Sequence, residues 1–318
     1  MNMKQFRYVL VLADTGSFSR AADELNISQP SLSQYVKKIE TQLGVELFDR
    51  ANGNVRLTDA GKVYIDAGRK ILDLENQMQQ RFMDLTEHRT GSIVVGTTPF
   101  RSVTMMPNIL AKFKELYPGI HVVIDERGTS ELKEAGEKGE FDISVLTLPV
   151  DEKKFDYELI MEEEIVLAVP KMWTLNDTLI DYAKEKDGRR FSAIDFGLLH
   201  NQAFVILTET QIMQRALEDL RVECNIDIRA AAVVKSLEAQ IEMVRKGVGI
   251  ALVPTGVCRE EDDRVCYYSL IQDLPRRKVV AVYRKGQYLS SPVKDLIEVM
   301  KSLFIENKGI IKLFDGLV

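Results

Sequence analysis

Apolar residues recur at intervals of three and four positions along the first part of the chain, and this spacing predicts helices. The first helix is predicted over 4–13 and the second over 18–25. A third helix follows from Ser28 to about Leu43, where Gly44 ends it. Two short helices joined by a tight turn are typical of a helix-turn-helix.

Two short strand-like runs, VELFDR and NVRLT, follow the third helix and flank an Asn-Gly pair. Asn-Gly is a strong signal for a tight hairpin turn. The sequence therefore predicts a β-hairpin wing after the helix-turn-helix, and we place this first domain at residues 1–58.

A longer helical pattern runs from Thr58 to about Arg89, with apolar side chains in a three-four alternation. We treat residues 59–90 as a separate linker helix. An isolated helix of this length leaves its apolar stripe uncovered, so we expect a second copy of the chain to cover it. Packing of the stripe against the chain's own following domain is the alternative.

Short strands and helices alternate after the linker helix, which predicts an α/β architecture with mostly parallel sheets. The pattern occurs in two sets of similar size, so we expect residues 91–318 to form two lobes. The first lobe is predicted at about 91–164 and 266–318, and the second at about 165–265. The chain is expected to cross between the lobes near 164–166 and again near 255–266.

Hydroxyl, amide and ammonium side chains share the N-terminal part of the third helix, although such groups are poor material for a core. A position in a groove of nucleic acid explains them, because glutamine pairs with adenine while lysine and arginine neutralise phosphates. The candidate contacts to double-stranded DNA are Arg20, Ser28, Gln29, Pro30, Ser31, Ser33, Gln34, Lys37, Arg50 and Arg56. The structural alternatives are helix capping by Ser28, helix initiation by Pro30 and a merely solvated face for Lys37. Arg20 could likewise pair with Asp23, and Arg50 with Asp49.

The acidic net charge of the chain is distributed unevenly, and this bears on the DNA-binding interpretation of the first domain. The chain carries a formal charge of −6, but residues 1–60 hold seven basic and seven acidic side chains. The excess of acid therefore lies after residue 60, and the acidic total does not exclude a nucleic-acid partner.

Polar residues follow several strand ends that are expected to converge at the cleft between the lobes. Hydroxyls and free N–H groups at helix N-termini bind carboxylate or sulfate, and arginine adds a charge-assisted contact. We therefore expect a small anionic effector, whose identity the sequence does not give, and no cofactor. The candidate effector-binding residues are Thr97, Thr98, Phe100, Arg101, Ser102, Gly128, Thr129, Phe204, Thr208, Ser236 and Gly247. A surface ion pair between Arg101 and Glu126 is the alternative role of that arginine.

Catalytic and metal-binding patterns are absent from the sequence. The three histidines are scattered and accompany no nucleophile or phosphate-loop motif, so we expect no enzymatic activity. Cys224, Cys258 and Cys266 have neither disulfide nor metal-ligand spacing, and a thiol redox sensor that uses Cys258 and Cys266 is the competing interpretation.

The apolar runs are too short to cross a bilayer and we find no signal peptide, so we expect a cytoplasmic protein.

The stretch FSRAADELNISQPSLSQYVKKIETQLGVELFDR, followed by VRLTDAG, resembles the winged helix-turn-helix of the LysR-type transcriptional regulators. GTTPFRSVTMMP, GTSEL, GEFDISVL and VRKGVGIALVP resemble landmarks of that family's effector domain, and the resemblance covers nearly the whole chain. It implies an all-α winged helix-turn-helix, a dimerisation helix and a two-lobed α/β effector domain like that of periplasmic binding proteins. It also implies a regulator of transcription that acts as a homodimer or homotetramer on promoter or operator DNA, with RNA polymerase as a further candidate partner.

The chain departs from the family pattern in three places. Phe100 stands where members frequently have a serine or threonine that holds the anion of the ligand. Gly53-Asn54 stand where many wings carry a second basic residue. The stretch 181–190, DYAKEKDGRR, is additional length in the second lobe, and the sequence assigns it no function.

Overall fold

The computed structural model describes residues 3–49, 55–85, 90–186, 188–208, 212–258 and 262–305. The chain divides into two compact units. The first comprises residues 1–88 and 287–290, and the second comprises residues 89–286 and 291–318.

The first unit is a group of helices with a two-stranded hairpin. Its elements are α1 (Met3–Thr15), α2 (Phe18–Glu24), α3 (Gln29–Leu43), β1 (Phe48–Asp49), β2 (Arg56–Leu57) and α4 (Asp59–Leu85). The predicted helices are confirmed over these ranges. Strands β1 and β2 pair antiparallel, as expected for a wing, and the Asn-Gly turn between them lies outside the described residues.

The helix ends in the first unit follow local side-chain chemistry. Ser17 and Ser28 each accept a hydrogen bond from the backbone N–H three residues further on, which caps α2 and α3. Gly44 ends α3 with a φ of 72°, in the left-handed region that glycine adopts without strain. The inward faces of the helices and the hairpin share one apolar core, which includes Phe6, Val9, Leu12, Ala21, Leu32, Val36, Leu47 and Phe48.

The second unit consists of two α/β lobes, each built around its own sheet. Its elements in chain order are β3 (Gly91–Thr97), α5 (Pro99–Thr104), α6 (Met106–Leu116), β4 (Ile120–Glu126), α7 (Thr129–Lys138), β5 (Ile143–Thr147), β6 (Phe155–Glu163), β7 (Ile165–Pro170), α8 (Leu175–Tyr182), β8 (Ala193–Ile194), β9 (Ala203–Leu207), α9 (Ile212–Glu223), β10 (Arg229–Val234), α10 (Leu237–Arg245), β11 (Ala251–Pro254), β12 (Val265–Leu270), β13 (Arg277–Arg284) and α11 (Ser291–Ile305).

The sheet of the first lobe has five strands in the order β4-β3-β5-β13-β6. Strand β3 pairs parallel with β4 and β5, whereas β13 pairs antiparallel with β5 and β6. The second lobe has four strands in the order β11-β7-β12-β8 and a parallel β9-β10 pair. A parallel bridge between Phe204 and Ile250 connects that pair to the start of β11.

The expectation of mostly parallel sheets is wrong, because each strand next to a crossing runs antiparallel to at least one neighbour, which makes both sheets mixed. Strand β7 pairs antiparallel with both β11 and β12. The sequence also places 266–270 in the first lobe, whereas the pairing of β12 with β7 puts it in the second. The return crossing therefore follows Leu270. Strand β6 was not predicted, since its charged residues Asp156, Glu158 and Glu162 obscure the apolar alternation.

The additional segment 181–190 lies against both crossings between the lobes. The Arg189 guanidinium donates to Glu164 Oε1 at 3.2 Å and to Asp273 Oδ1 at 2.9 Å. Lys186 Nζ donates to the Ile271 carbonyl oxygen at 2.7 Å. Glu164 belongs to the first crossing and Asp273 to the second, so this segment ties the two crossings together.

Candidate functional site

The start of α3 presents polar side chains to solvent. Ser28 Oγ accepts from the Ser31 N–H at 3.3 Å, and the two hydroxyl oxygens are 2.7 Å apart. Gln29, Gln34 and Lys37 are exposed as predicted, while Ser33 and Pro30 flank them in half-buried and exposed positions respectively. The two serines thus complete the helix end, and the amides and the ammonium group stay free of the core.

Apolar side chains on the opposite face of α3 fix this presentation. Leu32 and Val36 have no exposed surface, and Ile39 has 3%. Glu40 continues the buried side and is only 8% exposed. Its Oε1 accepts from the backbone N–H groups of Leu47 at 2.9 Å and Phe48 at 3.2 Å, and this carboxylate therefore joins α3 to the first strand of the wing.

The predicted arginines flank this face in different ways. Arg20 is exposed on α2, and its Nη2 donates to the Thr15 carbonyl oxygen at 2.7 Å rather than to Asp23, its alternative partner. Arg56 is exposed on β2. Arg50 lies outside the described residues. Because the first turn of α3 contains no acidic side chain, the positive end of its dipole is not neutralised from within the helix.

Three of the predicted cleft positions cap helices in the second unit. Thr98 Oγ1 accepts from the Arg101 N–H at 3.5 Å at the start of α5, and Ser236 Oγ accepts from the Ala239 N–H at 3.2 Å at the start of α10. Gly128 precedes α7 and donates its N–H to Glu131 Oε2 at 3.1 Å. Thr129 and Ser236 are exposed, and Ser102 and Thr208 are half-buried.

Arg101 is buried and is already paired. Its Nη2 lies 3.2 Å from Glu163 Oε2 and donates to Thr147 Oγ1 at 2.9 Å, so Glu163, not Glu126, is its acidic partner. Glu163 Oε2 is also 3.4 Å from Nη1 of Arg277. Burial favours the protonated acid, but Arg101 and Arg277 outweigh it and hold the pKa of Glu163 below its usual value. Burial lowers the pKa of Arg277, whose acidic partner Glu163 is shared with Arg101.

The remaining predicted positions do not all converge. Thr97 is fully buried, and its Oγ1 has no hydrogen-bond partner among the described residues. Phe204 lies in the interior of the second lobe, with its ring 6.0 Å from that of Phe196. Gly247 follows the C-terminal end of α10, where its φ of 77° suits glycine and Met172 lies alongside. Neither Phe204 nor Gly247 lies in the cluster around Glu163. Phe204 packs in the interior of the second lobe, and Gly247 reverses the chain after α10.

Sequence reasoning missed Glu163 and Arg277, which organise this part of the second unit. The available signals were the run of acids Glu162-Glu163-Glu164 directly before the apolar strand β7 and the basic pair Arg276-Arg277 before an apolar strand. Neither signal identifies its partner, since Arg101 and Glu163 are 62 residues apart in the chain.

Burial disfavours the thiolate form of all three cysteines. Burial raises the pKa of Cys258 to about 12, and burial also raises the pKa of Cys224 and Cys266. These environments disfavour the thiolate that a redox sensor needs.

Among the residues that the structure describes, no group of His, Cys, Asp and Glu side chains could hold a metal ion, and no helix is long and apolar enough to cross a membrane.

A helix-turn-helix with a hairpin wing, followed by a two-lobed α/β domain, defines the class of ligand-controlled DNA-binding regulators. Residues 3–62 match the family described as "Bacterial regulatory helix-turn-helix protein, lysR family", and residues 86–304 match the "LysR substrate binding domain". The chain therefore belongs to the LysR family of transcriptional regulators, with a DNA-binding domain and an effector-binding domain.

Individual relatives agree over nearly the whole chain. The chain is 32% identical to the uncharacterized HTH-type transcriptional regulator YcgK of Bacillus subtilis (strain 168), over 95% of this chain and 94% of that protein. It is 26% identical to the DNA-binding transcriptional dual regulator OxyR of Escherichia coli (strain K12), over 95% of both chains. A full-length OxyR variant from Pseudomonas aeruginosa has the same fold, with a TM-score of 0.69 at 22% identity and coverage of 95% and 98%.

Proposed function

We propose that this regulator reads bases of double-stranded DNA with the first two turns of α3. The observation that carries the proposal is the exposed polar face of α3 above fully buried apolar residues, at an end without acidic side chains. Gln29 and Gln34 are the base-reading residues, because an amide pairs with adenine through two hydrogen bonds. Ser28, Pro30, Ser31 and Ser33 bring the backbone N–H groups of the helix end close to phosphate.

Lys37, Arg20 and Arg56 are proposed to neutralise phosphates and so to position α3 without selecting a sequence. All three are exposed in the first unit. Arg50 is proposed for the same role on the basis of the sequence alone. The proposal therefore predicts that removal of an amide lowers the preference for one DNA sequence, whereas removal of a cation weakens binding to every sequence.

A second copy of the chain is proposed to pack against α4. Leu74, Met78, Phe82 and Leu85 are 64%, 50%, 54% and 81% exposed and recur at intervals of three and four along this helix. Apolar side chains so spaced form the seam of a helix pair. The resulting dimer would present two copies of α3 to two half-sites, and further association gives the homotetramer.

We propose that the effector is a small anionic molecule, because anionic groups suit the N–H groups and hydroxyls at the starts of α7 and α10. Thr129 and Ser236 are exposed there. Arg101 contributes less than its charge suggests, because Glu163 already neutralises it. Effector binding would change the relative populations of lobe arrangements, and through them the placement of the DNA-binding domains.

Substitutions in α3 test the DNA-reading proposal. Gln29→Ala should reduce the preference for operator over scrambled duplex by roughly 1–3 kcal/mol, the discrimination provided by one bidentate contact. Lys37→Ala should weaken binding to both duplexes and reduce the slope of log affinity against log salt by about one. Fluorescence anisotropy at several salt concentrations measures both quantities.

Gln42→Ala and Lys38→Ala are the matched controls. Gln42 is an exposed amide at the other end of α3, and Lys38 is an exposed neighbour of Lys37 on a different face. Both controls should leave operator preference and salt slope near those of the wild type. Equal losses of specificity in all four variants would refute the assignment of Gln29.

A further inference from the structure

Phe100 extends from the first lobe into the apolar interior of the second. It lies on α5, directly after a strand of the first lobe, yet it is only 8% exposed. Among the described residues, the other buried members of its apolar cluster belong to the second lobe. They are Val166, Ala168, Ile241, Val244, Ala251, Val253, Val257, Cys258 and Val265.

The backbone on both sides of Phe100 is fixed. Thr98 Oγ1 caps α5 just before it, and the Arg101 guanidinium just after it is held by Glu163. Thr104 Oγ1 donates to the Phe100 carbonyl oxygen at 2.9 Å. The ring is therefore presented to the second lobe by an anchored helix rather than by a loose loop.

We infer that Phe100 is an internal occupant of the effector cleft, which holds the two lobes together without a ligand. An aromatic ring buries more apolar surface than most side chains, so its insertion favours the arrangement in which the second lobe covers it. This inference rests on the proposed function, in which the cleft between the lobes binds the effector. It also restricts the chemistry of that effector, because a molecule with an aromatic or bulky apolar group could reach this wall only by displacing Phe100.

The interlobe distance in Phe100→Ala tests the inference. Spin labels on cysteines placed at the exposed positions Glu134 on α7 and Lys246 after α10 report the distance between the lobes. The full chain is used, with its three native cysteines replaced by alanine and with an excess of unlabelled protein to suppress distances between copies. Without ligand, the Phe100→Ala protein should show a longer and broader distance distribution than the protein that retains Phe100.

Phe204→Ala is the matched control, since Phe204 is a fully buried ring and, among the described residues, the buried members of its apolar cluster all belong to the second lobe. It should lower the thermal unfolding midpoint without lengthening the interlobe distance. Phe100→Met should stay near the wild-type distance, because methionine can fill the same apolar space. Benzene added to Phe100→Ala should restore the shorter distance, as small aromatic molecules occupy apolar cavities left by a deleted side chain.

An unchanged distance in Phe100→Ala, or an equal lengthening in Phe204→Ala, would overturn the inference. The inference would also be overturned if benzene failed to shorten the distance in Phe100→Ala and the distance in Phe100→Met were as long as in Phe100→Ala. That result would show that the space left by the ring is not one that a ligand could fill. All of these measurements are made without DNA or effector, so they remain decisive even if the proposed DNA-reading residues fail their own test.

Discussion

At the scale of single residues, burial decides what the charged side chains of the second unit can do. Sequence patterns identify Arg101 as a cation near a strand end but do not show that Glu163 neutralises it. Glu163 is 1% exposed and is shared by Arg101 and Arg277. A buried carboxylate between two guanidinium groups stabilises the fold only while it remains ionised.

Glu163→Gln should therefore change the acid stability of the second unit. The pKa of Glu163 is below its usual value in the folded chain, so its contribution is fully present above the unfolded pKa of about 4.5 and is lost as pH falls towards the folded pKa. The variant should be less stable by roughly 3–5 kcal/mol near neutral pH, because two buried cations lose their partner. Its stability should then fall less than that of the wild type as the pH drops below about 4.5.

Urea unfolding at several pH values, followed by fluorescence of Trp173 in the second lobe, measures this difference. Trp173 is the single tryptophan of the chain. Glu162→Gln is the control, since Glu162 is exposed and its Oε1 lies 3.9 Å from Lys278 Nζ. Parallel pH profiles for Glu163→Gln and the wild type would contradict the assigned role of Glu163.

At the scale of elements, helices were predicted well because their signals are local. Ser28, Pro30 and Gly44 mark both ends of α3 within the sequence itself. The contacts that join α3 to the wing are not local: Glu40 accepts from Leu47 and Phe48 through space. Gly61 at the start of α4 also makes a contact that is distant in sequence, since an added Cβ there would lie 2.1 Å from the Leu47 carbonyl oxygen.

Gly61→Ala should consequently destabilise the first unit. In an ordinary helix this change gains roughly 0.5–1 kcal/mol, but the close backbone contact should turn the gain into a loss of roughly 1–3 kcal/mol. Thermal unfolding followed by circular dichroism measures the change. A raised midpoint for the α-helical signal would show that α4 and the wing strand do not approach as closely as described.

The candidate DNA-reading residues were predictable for the same local reason, whereas the arrangement of the cleft was not. Gln29, Gln34 and Lys37 could be assigned to a solvent-exposed face from the helical repeat alone. The positions of Phe204 and Gly247 depend on how the second lobe folds back on itself, and periodicity carries no information about that. The position of the return crossing, after β12, was unpredictable for the same reason.

At the scale of the whole molecule, the exposed stripe of α4 is the surface on which we propose that a second copy of the chain packs. A monomer would leave Leu74, Met78, Phe82 and Leu85 in water, and such a patch marks an interaction surface. The stripe was visible in the sequence, but only the structure shows that these side chains are exposed on the described chain.

Leu74→Lys should weaken self-association, because it places a cation in the proposed seam. Sedimentation velocity over a range of concentrations should show a shift towards a lighter species. Asn76→Lys adds the same charge to an exposed position outside the stripe and should sediment like the wild type. If Leu74→Lys and Asn76→Lys sediment alike, the stripe on α4 does not form the interface.

We propose that the polar start of α3 selects a DNA sequence. The most direct measurement is a nuclease footprint of the wild-type chain on the DNA upstream of its own coding sequence, at moderate ionic strength and with excess unrelated duplex as competitor. Protection of two half-sites in register with the helical repeat of DNA, retained in the presence of competitor, is the predicted result. Protection that spreads evenly along the DNA, or disappears when unrelated duplex is added, would contradict it.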